Sequence, residues 1–289
     1  MKRRDFVQTL AGGTALAMLP SGFTGCASVE KRASDRIALG QVKLSVSRLG
    51  LGTGTEGMDG ASDQTRQLGF RGLVDLLREG FDKGVTVWDT ADSYGTHAHI
   101  REALKGLPRE KVTVITKTNA TTESQMRDDL DRFRRELDTD YIDIVLLHYI
   151  QNGNWTEERK GAMEALAEAT EKGTVKMRGL SSHSFDAMKV AASDPWSQVQ
   201  LARINLAGDR HMEGPPEKVL GVLREAKAHG KAVIGMKVLG EGDLISRIDD
   251  CYRFILSNSD AVDAFVVGMV SRTQLDDNIR RIAAAGKQA

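Results

Sequence analysis

The chain has 289 residues, and 40 lysines plus arginines balance 40 aspartates plus glutamates. Neutrality gives no electrostatic reason to expect nucleic acid or an anionic surface as partner, and two cysteines, Cys26 and Cys251, exclude a disulfide framework and a cysteine-rich metal or iron–sulfur site. Hydrophobic residues at 40% and charged residues at 28% are ordinary for a globular protein, and the length allows one large α/β domain or two small ones.

The first 26 residues read differently from the rest. Lys2, Arg3 and Arg4 precede a small-residue apolar run from Ala11 to Leu19, which closes on Gly25-Cys26. That is the order of an export signal, and the run is too short for a comfortable membrane span. Residues 1–26 are expected to be a leader, 27–35 ("ASVEKRASD") a polar tether, and 36–289 the folded body. The adjacent arginines followed by Asp5-Phe6-Val7 resemble a twin-arginine export signal. "FTGC" resembles a lipoprotein processing box, with Phe23 where leucine is usual. Together they imply a periplasmic protein or a lipoprotein, with acylated Cys26 as the one membrane attachment expected. A basic leader on a cytoplasmic protein is the alternative.

From Ile37 onward short β-branched runs alternate with longer segments of helical period. "VKLSVSRLGLG" is the first strand region, after a short hairpin around Gly40, and a helix follows over about residues 68–83. "VTVWD", "VTVITK" and "YIDIVLLH" are strands two to four, with helices over about 98–105, 124–137 and 157–172. "VKMRGLSS", "QVQLARIN", "AVIGMKVLG" and "AFVVGMV" are strands five to eight, with helices over about 185–192, 217–229, 244–258 and 273–285. Such alternation demands a parallel sheet, and eight strand–helix units at this length predict a (β/α)₈ barrel.

Gly52-Thr53-Gly54-Thr55-Glu56-Gly57 fits G-x-G-x-x-G after a strand. A dinucleotide fingerprint also needs a helix opening on that loop, whereas this one runs on through "MDGASDQ". It reads as a glycine-rich loop over the barrel mouth.

Active sites of such barrels lie at the C-terminal ends of the strands. Strand two ends in Asp89 with Tyr94 in the next loop, strand three in Lys117, and strand four in His148. A buried lysine needs a carboxylate, and Asp89 is on the neighbouring strand. Lys117 is expected to lower the Tyr94 pKa and make the phenol a proton donor near neutral pH. His148 is expected to fix a polar substrate group by a hydrogen bond. His97 and His99 read as a solvated face rather than a metal pair, so no metal site is expected. Trp155 reads as either pocket wall or barrel cover, Cys251 as core, and His183 as either a neighbour of a bound group or a helix cap.

This constellation resembles the aldo-keto reductase family over about Ile37 to the end. "WDTADSYG", "VITK" and "IVLLH" match its catalytic segments, "SVSRLGLGT" its opening strand, and "QLDDN" the start of its final helix. The resemblance implies reduction of an aldehyde or ketone by hydride transfer from NADPH, with NADH as the other cofactor allowed. It assigns catalysis to Asp89, Tyr94, Lys117 and His148. It places Thr53 and Gly54 beside the cofactor, and Ser181, Ser182 and Gln200 at the carboxamide. Ser182 stands where asparagine is common. Met236 replaces the usual stacking aromatic, and Leu239, Gly240 and Gly242 wrap the diphosphate. Ser271, Arg272, Gln274 and Asn278 remain for the adenosine end, with Arg272 gripping a 2′-phosphate. Gly268 and Gln274 stand where many NADP-selective members have basic residues. The chain stops soon after the last helix, so an open, permissive site is expected. A cofactor-holding sensor or accessory subunit with little turnover is the alternative to an enzyme.

Overall fold

The structure, a computed structural model, describes residues 30–208 and 212–289. The leader, with Cys26, and residues 27–29 of the tether lie outside the described residues.

The chain opens with an antiparallel hairpin, β1 (Arg36–Leu39) and β2 (Leu44–Ser47), turned through Gly40 at φ +50°. The hairpin expected around Gly40 is thus present, and the run expected as the first strand region is two elements. Its first half pairs with β1, and only β3 (Leu49–Gly52) enters the barrel. Leu39 and Val46 are fully buried in the same cluster as the barrel interior, so the hairpin closes the end opposite the strand termini that carry the site.

Eight parallel strands form the closed barrel. In order they are β3, β4 (Val87–Asp89), β5 (Thr113–Thr118), β6 (Ile142–Ile150), β7 (Val175–Ser182), β8 (Val199–Arg203), β9 (Ala232–Met236) and β10 (Ala264–Gly268). β10 returns to β3 with Val266 opposite Gly50. The surrounding helices are α1 (Asp63–Asp82), α2 (His97–Leu104), α3 (Glu123–Leu137), α4 (Trp155–Glu158), α5 (Lys160–Glu171), α6 (Phe185–Ser193), α7 (Pro216–Ala228), α8 (Ile248–Ser257) and α9 (Arg272–Gly286). Ser62, Thr122, Ser184 and Ser271 cap α1, α3, α6 and α9 by accepting a backbone N–H of the first turn. Leu244, expected to open a helix, instead precedes a 3₁₀ turn, and α8 begins only at Ile248.

Strand alternation sorts the core into two layers. Val87, Ile115, Ile144, Leu146, Leu201, Ile234 and Val266 fill the interior. Trp88, Val114, Val145 and Leu147 point outward against the helices. The described part of the expected tether is no tether. Ala33 is buried, its carbonyl accepts Leu49 N–H, and Lys31 Nζ donates to Leu256 O at 2.8 Å.

Candidate active site

The same alternation places the chemistry. On β4, Val87 faces in, Trp88 out and Asp89 in; on β5, Ile115 faces in, Thr116 out and Lys117 in; on β6, Ile144 and Leu146 face in, and His148 follows in phase. Each polar residue is thus the last inward position of an apolar strand, so three strands deliver three polar groups to one mouth. Tyr94 arrives from the loop after β4, on a 3₁₀ turn spanning Asp92–Tyr94.

Lys117 is almost fully buried, and its ammonium donates to Asp89 Oδ1 at 2.7 Å and to Thr90 O at 2.7 Å. Burial works against that charge, but Asp89 and the phenol outweigh it and hold the lysine above its ordinary pKa. Lys117 Nζ lies 4.9 Å from the Tyr94 ring centroid, and Tyr94 Oη lies 3.5 Å from His148 Nε2. The Tyr94 phenol was expected to be acidified. Instead burial pushes it above its ordinary value, and the opposing pull of Lys117 only limits the rise. The phenol therefore keeps its proton throughout the neutral range, which is the state a donor needs.

Burial, with Lys117 nearby, pushes His148 down to about 3; burial, with Arg203 and Lys237, does the same to His183. Both rings are neutral when folded, whereas in the unfolded chain they protonate near pH 6.5. Between those values the unfolded state binds more protons, so stability falls as pH falls. Each histidine should cost about 2 kcal/mol of stability between pH 7 and pH 5. Urea midpoints at the two pH values should lie closer together in His148→Gln or His183→Gln than in the wild type. An unchanged spacing would show that these rings already titrate normally when folded.

The glycine-rich loop has a local explanation. A Cβ on Gly54 would stand 2.1 Å from Tyr94 Cε2, and one on Gly57 would stand 2.4 Å from its Cδ1. Those glycines let the tyrosine ring lie against the loop backbone.

A cleft of about 310 Å³ is lined by Asp89, Tyr94, Met236, Lys237, Leu239, Gln64 and Gln274 among others. Of the expected cofactor residues, Gly54, Met236, Leu239, Gly242 and Gln274 line it. Thr53 sits behind it, its hydroxyl donating to Asp89 O at 2.9 Å, and Gly240 opens the adjoining turn at φ +57°. Ser181 accepts Tyr149 N–H at 2.9 Å. Tyr149 is half exposed and lies against His183, with ring centroids 4.4 Å apart and the planes tilted by 52°.

Other expected residues lie elsewhere in the structure. Gln200 lies between inward-facing Val199 and Leu201, so it points outward, donating to Met188 O at 2.9 Å and to Ser182 Oγ at 3.3 Å. Neither Gln200 nor Ser182 lines the cleft. Ser271 is spent as the α9 cap, and Asn278 accepts Tyr252 O–H between α8 and α9 at 2.8 Å. Arg272 turns to α1, its Nε 2.8 Å from Glu79, so in this conformation it does not address the cleft. His97 and His99 are buried rather than solvated: His97 is held by Glu136 and Thr116, and His99 packs on Phe70. Trp155 is buried against Trp196, and Ser184, not His183, caps α6.

The sequence reading missed Lys237, Glu241, Gln64 and Gln67, all of which line the cleft. Lys237 was legible as a lone cation in a glycine-bearing segment after a strand. Gln64 and Gln67 had no such signal, because only the fold brings the start of α1 beside the loop after β10.

Comparison with known proteins agrees with this geometry. Probable aldo-keto reductase 1 of Glycine max is 32% identical over 180 residues, 57% of this chain and 50% of its own. Methylglyoxal reductase YeaE of Escherichia coli is 33% identical over 153 residues, 50% of this chain and 49% of its own. The matched stretches thus span about half the length of each of these relatives. A crystal structure described as an aldo-keto reductase from Pseudomonas aeruginosa superposes with a TM-score of 0.73 at 25% identity, over 88% of this chain and 97% of that one. Residues 48–250, which carry the lysine–aspartate pair, the tyrosine and the histidine, match the aldo/keto reductase family, and the chain belongs to it.

Proposed function

We propose that the protein reduces a small aldehyde or ketone to the alcohol, with NADPH or NADH as the reductant. The observation that carries this reading is the convergence of the Lys117–Asp89 pair, Tyr94 and His148 beside a cleft that Asp89 and Tyr94 line.

The cleft's chemistry suits a nicotinamide dinucleotide. The Met236 thioether lines the cleft with Tyr94 and brings an apolar flank, Lys237 brings a cation paired with Glu241 at 2.8 Å, and Gln67 and Gln274 bring amides, while the Gln64 amide is held by Thr55. The backbone at Gly54, Gly242 and Gly268 lines its walls without side chains. When bound, the dinucleotide supplies the hydride. Tyr94 gives its phenolic proton to the carbonyl oxygen as that oxygen gains charge. Lys117, fixed by Asp89, stabilises the phenolate left behind, and neutral His148 orients the oxygen by a hydrogen bond.

The Escherichia coli relative's name, methylglyoxal reductase, makes small oxoaldehydes the first substrates to try. Purified protein should oxidise NADPH or NADH in many turnovers with a panel running from methylglyoxal to bulky aromatic aldehydes. Binding followed by a single turnover would favour a sensor, and absence of turnover above the Tyr94→Phe background would remove the enzymatic reading. For residues 1–26 the proposal remains export on a twin-arginine-type signal, with Cys26 as the lipidation site. Cell fractionation of wild type against Arg3→Lys/Arg4→Lys and Cys26→Ser tests it, and wild type found only in the cytosol with Met1 intact would overturn it.

A further inference from the structure

The 3₁₀ turn that carries Tyr94 is three residues long, has no side-chain cap, and is followed by Gly95 at φ +65°. A turn so short does not hold its own geometry. It is held from behind. Arg132 of α3 grips Asp92 with both carboxylate oxygens engaged, Nη1 to Oδ1 at 2.7 Å and Nη2 to Oδ2 at 2.9 Å. The same guanidinium donates to Asp129 Oδ1 at 2.7 Å and Glu136 Oε1 at 3.2 Å, one turn before and after it on α3. Glu136 Oε2 is also 2.6 Å from His97 Nδ1, and His97 Nε2 is 2.8 Å from Thr116 Oγ1. His97 is buried, and burial lowers its pKa, so the neutral ring donates from Nδ1 to Glu136 and accepts the Thr116 hydroxyl at Nε2.

The chain of bonds therefore starts two residues before Tyr94 and ends one residue before Lys117, on the outward face of β5. The geometry points to Arg132 as a positioning residue for the proton transfer, a clamp that fixes the tyrosine turn against the strand bearing the lysine. This rests on Tyr94 being the proton donor. Arg132 and Asp92 are each about a third exposed, 36% and 37%, and lone exposed ion pairs contribute little. This pair is bidentate and networked, which is the exception, and its task is to set a position. A shift of about 1 Å in a reacting group costs on the order of 10²-fold in rate. A lysine cannot reproduce the planar fork, and without the guanidinium three carboxylates are left close together.

The test combines kinetics with amide exchange on the full-length protein. Arg132→Gln and Asp92→Asn should each lower kcat by about 10- to 100-fold, with KM for a reducible aldehyde and dinucleotide Kd changed less than about 3-fold. The double variant should be no worse than the poorer single, because each single already breaks the Asp92–Arg132 pair. Arg132→Lys should recover part of the loss. By hydrogen-exchange mass spectrometry, the peptide covering Ala91–Gly95 should exchange faster in Arg132→Gln than in wild type, while β9 and β10 peptides are unchanged. An unchanged kcat, or a parallel loss of dinucleotide affinity, would overturn the clamp. If wild type reduces no carbonyl, the proposed function falls separately, and the exchange arm still decides: equal rates at Ala91–Gly95 in wild type and Arg132→Gln reject the clamp.

Discussion

Tyr94→Phe is expected to lower carbonyl reduction by at least about 10²–10⁴-fold, the usual cost of removing a general acid, while dinucleotide binding stays nearly intact. The substitution keeps the ring that packs on Gly54 and Gly57 and removes only the hydroxyl. Among the described residues no other side chain is placed to replace it. Lys117 is held above its ordinary pKa and gives two of its three ammonium protons to Asp89 and Thr90 O, so it stays a cation beside the phenol, and His148, pushed down to about 3, is not protonated at neutral pH. Steady-state rates with one aldehyde, alongside fluorescence titration with NADPH, measure both halves. Turnover equal to wild type would remove Tyr94 from the chemistry and leave the constellation a structural feature of the barrel mouth.

Lys117→Met should be destabilising as well as inactivating. It leaves Asp89, only 6% exposed, without its cation and Thr90 O without its donor. Removing one partner of a buried pair costs roughly 3–5 kcal/mol, because the remaining charge is uncompensated. Asp89→Asn/Lys117→Met removes that charge too, so the double variant should unfold at higher urea than the single one. Both should be catalytically poor, since neither retains a cation beside the phenol. Coincident unfolding curves with activity preserved would mean that the pair does not act as a buried unit.

The residues of the site and its cofactor cleft were unequally legible. Asp89, Lys117 and His148 could be read in line, since each ends an apolar run and a strand has a fixed period of two. The same period, applied to Gln200, shows where its amide lies: its neighbours Val199 and Leu201 claim the interior, so its Nε2 turns to Met188 O on α6, while its Oε1 is buried without a hydrogen-bond partner. Arg272 was read from its place at the start of the last helix. Its direction depended on Glu79, 193 positions earlier, which the fold sets beside it at 2.8 Å.

What the sequence determined by itself was local and periodic. Alternating strand and helix patterns gave eight units and hence a closed parallel barrel, and strand-end polarity gave the mouth and its chemistry. Tertiary structure decided whatever depended on distance along the chain. It drew the first half of the expected strand region into the hairpin already expected around Gly40, and set that hairpin as a plug, because Leu39 and Val46 bury against the interior. It joined Lys237 and Gln64 in one cleft and put Arg132 of α3 behind the turn that carries Tyr94. It also reversed the expected direction of the Tyr94 shift. Sequence shows that a cation is near, but how much water the phenol loses depends on packing from β3, β5 and β6 together, and burial outweighs the charge.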